Sequence, residues 1–170
     1  MTKYMKTFVI FLLVFSANSF AQGKLSVIEE AVLNVEAETA WAVLGDFNGL
    51  PAWLPIMTAS ELDGTGTDFG DIRILTLGDG GSIIEKLTNY DKQQMEYSYE
   101  IMDSPLPLKN YKSTIKVEPV GNQCKFTWTS TFDADGASDE EVVGIITGVY
   151  KTGIESLTKM FSPTEEDIEP

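Results

Sequence analysis

Hydrophobic and polar positions fall into two rhythms along this chain. Leu25 to Val35 is rich in Val, Ile and Leu and reads as a strand. In Ala37–Phe47, Ala40, Trp41 and Leu44 recur at helical spacing. Gly49 and Pro51 interrupt that period, and a second short helix around Ala52-Trp53 is expected to end before Pro55. Six strands follow: Met57–Leu62, Asp71–Leu77, Ser82–Tyr90, Met95–Met102, Tyr111–Val117 and Lys125–Phe132. Turn chemistry at Asp63-Gly64, Gly78-Asp79-Gly80-Gly81, Asp91-Lys92, Ser104-Pro105 and Gly121-Asn122 separates them and predicts an antiparallel meander. Strict alternation puts Tyr111, Ser113, Ile115 and Val117 on one face, with Lys112, Thr114 and Lys116 on the other, so one sheet face is wet.

The last element starts at Ser138-Asp139-Glu140-Glu141, a capping-box pattern with acidic residues at the positive end of the helix dipole. The helix it opens runs to about Met160, with Ile145, Val149, Thr152, Ser156 and Met160 as its expected apolar-to-small stripe. That stripe must be buried, and the inner face of the curved sheet is the surface available.

At the N-terminus, Lys3 and Lys6 precede the apolar run Phe8–Phe15, and Ser19-Phe20-Ala21 closes it as a small-x-small site. The run is far shorter than the ~20 residues that span a bilayer, so residues 1–21 read as a cleavable export signal. The expected products are a periplasmic or secreted domain over residues 22–162 and an acidic tail over 163–170, with no stable membrane insertion after cleavage.

Composition narrows the chemistry. Twelve Lys and Arg face 26 Asp and Glu in 170 residues, a net charge of −14 that repels a phosphate backbone and argues against nucleic acid as a partner. There is no histidine and a single cysteine, Cys124, which removes Ser-His and Cys-His nucleophile pairs, His-ligated metals and intrachain disulfides. No cofactor or metal is expected. Asp133-Ala134-Asp135-Gly136 lacks a calcium loop's first and last ligands, where Thr131 and Val142 stand, and Gly64–Gly70 does not open a helix as a dinucleotide loop does.

The order strand, two short helices, six antiparallel strands and long helix resembles the helix-grip fold of the START-like superfamily, which includes Bet v 1 allergens and polyketide cyclase/dehydrase-like proteins. Trp41–Phe47 with Trp53-Leu54-Pro55 is similar to the family's opening helices. Gly64-Thr65-Gly66 with Arg73 resembles its Gly-then-Arg strand, and Glu85-Lys86-Leu87 with Asp91 its Glu-x-Leu strand and turn. Pro107–Ser113 resembles the segment after the latch loop of plant abscisic-acid receptors. The resemblance implies an α+β fold: a seven-stranded curved antiparallel sheet around the C-terminal helix, enclosing a cavity for a small hydrophobic ligand such as a sterol, lipid or polyketide. It places Gly78–Gly81 and Ser104–Pro107 at the gate and latch. The receptors' Ser-Gly-Leu-Pro-Ala gate is absent, and their carboxylate-anchoring lysine falls on Leu54, so an acidic hormone is not implied.

The inward set carried over by the resemblance agrees with strand parity. Arg73, Leu75, Leu77, Glu85, Leu87, Tyr97, Tyr99 and Ile101 come from the first strands. Tyr111, Ser113, Phe126 and Trp128 come from the last two, with Ile145, Val149 and Gly153 facing them from the helix. Arg73 and Glu85 either orient a ligand's carbonyl or hydroxyl or form a structural ion pair; the tyrosines and Trp128 either wall a ring-containing ligand or pack a core. The function expected is ligand binding with no catalytic residue. The alternatives are a cyclase or dehydratase using Glu85 and tyrosines, and an assembly factor for a periplasmic complex.

Overall fold

The computed structural model describes residues 23–162; the expected export signal and acidic tail lie outside them. β1 (Leu25–Leu33) leads into α1 (Ala37–Leu44) and a single 3-10 turn at Leu50–Ala52. β2 (Met57–Asp63), β3 (Ile72–Leu77), β4 (Ser82–Asp91), β5 (Glu96–Asp103), β6 (Leu108–Val120) and β7 (Gln123–Ala134) then precede α2 (Asp139–Met160). The strands form one antiparallel sheet in the order β1-β7-β6-β5-β4-β3-β2. The helix-grip expectation holds, with one correction: the second short helix is only one 3-10 turn. Gly49 sits at its start, Pro51 occupies its first positions, and Pro55 steers Leu54 away from helical dihedrals, leaving no room for a second turn.

Parity along β6 is as alternation requires: Tyr111, Ser113, Ile115 and Val117 are buried while Lys112 is exposed. Register shifts interrupt the β2–β3, β4–β5 and β6–β7 ladders, and the last of these bears on the site. Between Lys109 and Lys112 the β6–β7 register slips, and Asn110 there takes φ 55°. Asn tolerates that left-handed conformation, and its Nδ2 donates to Asp133 Oδ2 at 2.8 Å, fixing the bulge. The glycine-rich β2–β3 loop is a turn, as expected: Asp71 Oδ2 accepts from the backbone N–H groups of Thr65, Gly66, Thr67 and Asp68 at 2.7–3.2 Å. Among the described residues no group of three acidic, Cys or His side chains is placed to hold a metal.

α2 is capped as its sequence implies, Ser138 Oγ accepting from the Glu141 N–H at 3.2 Å. Its buried face is only in part the expected one: Gly153 is inward as expected, Ile145 is not. Val142, Ile146, Tyr150, Gly153 and Leu157 are buried, whereas Ile145 is half-buried and Met160 is exposed. Both rows follow i, i+4 spacing, so periodicity alone does not choose between them. The sheet chooses, because it brings the Trp53 and Trp128 rings to the helix, and only a residue without a side chain fits where they arrive. A Cβ on Gly153 would lie 3.0 Å from Trp53 Cζ3 and 3.1 Å from Trp128 Cζ3.

Gly153→Ala is therefore expected to destabilise by about 1–2 kcal/mol, the crowding of two rigid indoles exceeding the gain in helix propensity. Gly144→Ala, where an added Cβ meets nothing within 4 Å, should stabilise by up to ~1 kcal/mol. Urea unfolding of the two variants checks the sign of each.

Candidate functional site

Arg73 on β3 and Glu85 on β4 are directly opposed in the ladder. Arg73 Nε donates to Glu85 Oε2 at 2.6 Å, and Nη1 donates to the carbonyl of Phe47, so one guanidinium ties the chain after α1 to two strands. Its carbon lies 4.2 Å from the Phe47 ring centroid and 4.9 Å from that of Tyr99, a cation–π arrangement on two faces. Arg73 is wholly buried. Burial works against its charge, but Glu85 holds its proton more tightly than water would. Burial also pushes the Glu85 carboxyl above its ordinary range, an effect the guanidinium offsets only in part.

Glu85, unlike Arg73, faces a cavity of about 80 Å³ between the sheet and α2. The remaining walls are apolar or aromatic. Leu50, Leu54, Ile56 and Met57 come from the segment after α1; Leu77, Ile83, Tyr99, Ile101, Tyr111 and Trp128 from the sheet; Leu106 from the β5–β6 loop; and Ile146, Val149 and Tyr150 from α2.

A chain of hydroxyls borders the same cavity. Ser113 Oγ gives its proton to the Thr129 carbonyl at 2.8 Å and therefore accepts from Trp128 Nε1 at 3.0 Å and from Tyr150 at 3.2 Å. Tyr150 in turn accepts from Tyr111 at 2.6 Å. Tyr99 OH accepts a second, 3.1 Å contact from Trp128 Nε1, and its own proton has no protein acceptor among the described residues. Burial raises the hydroxyls of Tyr99 and Tyr111 well above their ordinary value and pushes Tyr150 up to about 12. All three are neutral near pH 7 and serve as hydrogen-bonding groups, not bases.

Of the residues singled out from sequence, Glu85, Tyr99, Tyr111, Trp128, Leu77, Ile101 and Val149 line the cavity. Arg73 and Leu75 are buried without reaching it, and Ser113 acts on it through Tyr150 and Trp128. Tyr97 packs beneath α1, 5.8 Å from the Phe47 centroid and 6.2 Å from Trp41. Ile145 does not line it, because α2 is turned one residue away from the expected face. Sequence reasoning missed Tyr150, whose ring stacks on Trp128 at 3.9 Å and 10°, though Val142-Ile146-Tyr150 carries the same four-residue spacing as the row it chose. Leu54, where the receptor lysine would stand, does sit in the wall.

Residues 24–161 match the family model described as polyketide cyclase / dehydrase and lipid transport. The chain belongs to that family. MLP-like protein 423 of Arabidopsis thaliana is 31% identical over 117 residues, spanning 60% of this chain and 76% of the relative. The structure of an uncharacterized Bacillus thuringiensis protein superposes with a TM-score of 0.75 at 33% identity, covering 81% of this chain and 98% of that one. A START superfamily protein from Mycobacterium smegmatis, at 13% identity, shares the fold with a TM-score of 0.69 over 80% of this chain and 96% of its own. Family and fold together point to binding of a small hydrophobic ligand or to cyclase-like chemistry on one. Among the described residues no helix is long and apolar enough to cross a membrane.

Arg73→Gln is expected to strand a buried carboxylate and destabilise by about 3–5 kcal/mol near neutral pH. With the guanidinium gone, Glu85 is raised further, so the penalty is small below the unfolded value of 4.5 and grows as pH rises above it. Denaturation of Arg73→Gln and wild type at pH about 5 and about 8 tests this sign, and Arg73→Met/Glu85→Met should regain most of the loss.

Proposed function

We propose that this is an exported binding protein for a small, ring-containing hydrophobic molecule bearing a hydroxyl or carbonyl. The observation that carries the reading is Glu85: Arg73 engages Oε2, no protein donor among the described residues reaches Oε1, and the side chain faces an otherwise apolar cavity. An apolar enclosure with one or two convergent polar groups is the general design of small-molecule sites. Here Glu85 offers an acceptor for a ligand hydroxyl, and Tyr99 offers a donor for a carbonyl. The export signal read in residues 1–21 supports a periplasmic or secreted location. A second reading has one specific observation in its favour, a lumen carboxyl whose proton affinity is raised by burial, as a general acid requires.

Phenol and toluene, nearly equal in size, test the first reading. Wild type should prefer phenol, and in Arg73→Met/Glu85→Met that preference should fall at least roughly tenfold, about 1.4 kcal/mol. Equal binding of both probes by the two folded proteins, measured by NMR titration, would remove Glu85 from the site. Native mass spectrometry of undelipidated protein should reveal a retained ligand.

For export, intact mass of material from the periplasm or medium should show a chain beginning at or near Gln22. Full-length protein recovered only from membranes would count against it.

A further inference from the structure

The cavity described above is lined at its loop end by Leu77 of β3 and Leu106 of the β5–β6 loop, both half-buried. The side wall is different. Pairing between β5 and β6 stops at Glu100↔Lys112, although β5 continues to Asp103 and β6 begins at Leu108. The cause is the bulge at Asn110, which bends the start of β6 after β7 and away from β5. A cleft of about 530 Å³ fills the divergence. Ile101 and Tyr111 line both this cleft and the internal cavity, which sets the two spaces side by side. Beyond that pair the cleft is mostly polar: Glu100, Asp103, Lys109, Asn110 and Lys112 stand around it with Ser104, and Met102 and Leu108 are its other apolar residues.

We propose that the gap between β5 and β6 is the entrance to the cavity, and that its ligand is an amphiphile whose apolar body passes Ile101 and Tyr111 while its polar end stays in the cleft. The proposal rests on the cavity being a binding site. An internal space of about 80 Å³ cannot take both parts of such a molecule, whereas the outer cleft gives the polar end water and hydrogen-bonding groups. The ligand class follows: one hydrophobic portion carrying one polar group, and tolerant of further hydrophilic extension from that group.

The test uses dansyl amide and a dansyl probe with a long ethylene-glycol tail. Exposed Met102 and Lys109 are replaced by cysteines and joined with a bismaleimide; Cys124 is buried and does not compete. A second protein is stapled across the loops at Asp79 and Pro105. Both probes should bind unstapled protein within about threefold of each other, because the tail remains outside. The Met102/Lys109 staple should slow association and dissociation at least roughly tenfold with little change in Kd, and the Asp79/Pro105 staple should leave the rates alone. Ile101→Ala should speed both. Slowing by the loop staple alone overturns the side entrance, and rejection of the tailed probe by protein that binds the bare one overturns the amphiphile. Failure of both probes to bind unstapled, folded protein overturns the cavity reading itself.

Discussion

A guanidinium with no exposure to water constrains everything around it. Removing such a charge from solvent costs several kcal/mol unless partners replace its hydration. Glu85, the Phe47 carbonyl and the faces of two aromatic rings supply much of that replacement for Arg73, whose Nη2 is left buried without a hydrogen-bond partner among the described residues. Those partners come from β4, from the chain after α1 and from β5, so satisfying one side chain fixes three parts of the fold relative to β3. Buried pairs of this kind commonly add little net stability over apolar residues of equal volume. Their distinctive product here is positional: a carboxyl is held at the wall of an apolar lumen with Oε2 engaged by Arg73 and Oε1 without a protein donor among the described residues.

The lumen itself is shaped by aromatic packing. Trp53 meets Trp128 edge-on at 5.2 Å, Trp128 stacks on Tyr150, and Tyr150 joins Tyr111 and Ser113 through its hydroxyl. Trp128, Tyr150 and Tyr111 thus use their rings to fill volume and their polar edges to satisfy a neighbour, whereas Trp53 Nε1 is buried with no partner among the described residues. The result is a cavity of about 80 Å³, room for two to three waters and far below the several hundred Å³ usual for sites of drug-sized ligands. Growth of that space requires wall residues to move, and among them Ile101 borders the stretch where β5–β6 pairing has ended.

Much of this was legible in sequence, and for a local reason. Side-chain direction in a strand reverses at every residue, so placing Tyr111 and Trp128 inward needs only the strand itself, and Ser138 with Glu141 marks the start of α2 without reference to anything distant. What was not legible depends on contacts between elements far apart in the chain. The rotation of α2, which exchanges Ile145 for Ile146 and brings in Tyr150, is set by two tryptophans arriving at Gly153 from other elements. The retreat of Arg73 and Tyr97 from the cavity depends on Phe47 inserting between α1 and the sheet, where it meets both. The split between β5 and β6 comes from one left-handed Asn110, a conformation with no periodic signature.

The same geometry bears on the choice between holding a molecule and transforming it. Proton transfer near neutrality needs a group whose affinity for its proton matches the medium. Tyr99, Tyr111 and Tyr150 are pushed the other way by burial, and Ser113 has spent its proton on a backbone carbonyl. Glu85 alone moves toward neutrality, and it is partnered by a guanidinium that stabilises its charged form without being able to relay a proton. A single carboxyl beside tyrosines held neutral is suited to recognise a hydroxyl by hydrogen bonding. Catalysis would require the substrate or water to supply a second proton carrier, and the polar cleft beyond Ile101 and Tyr111 is where water has its nearest access.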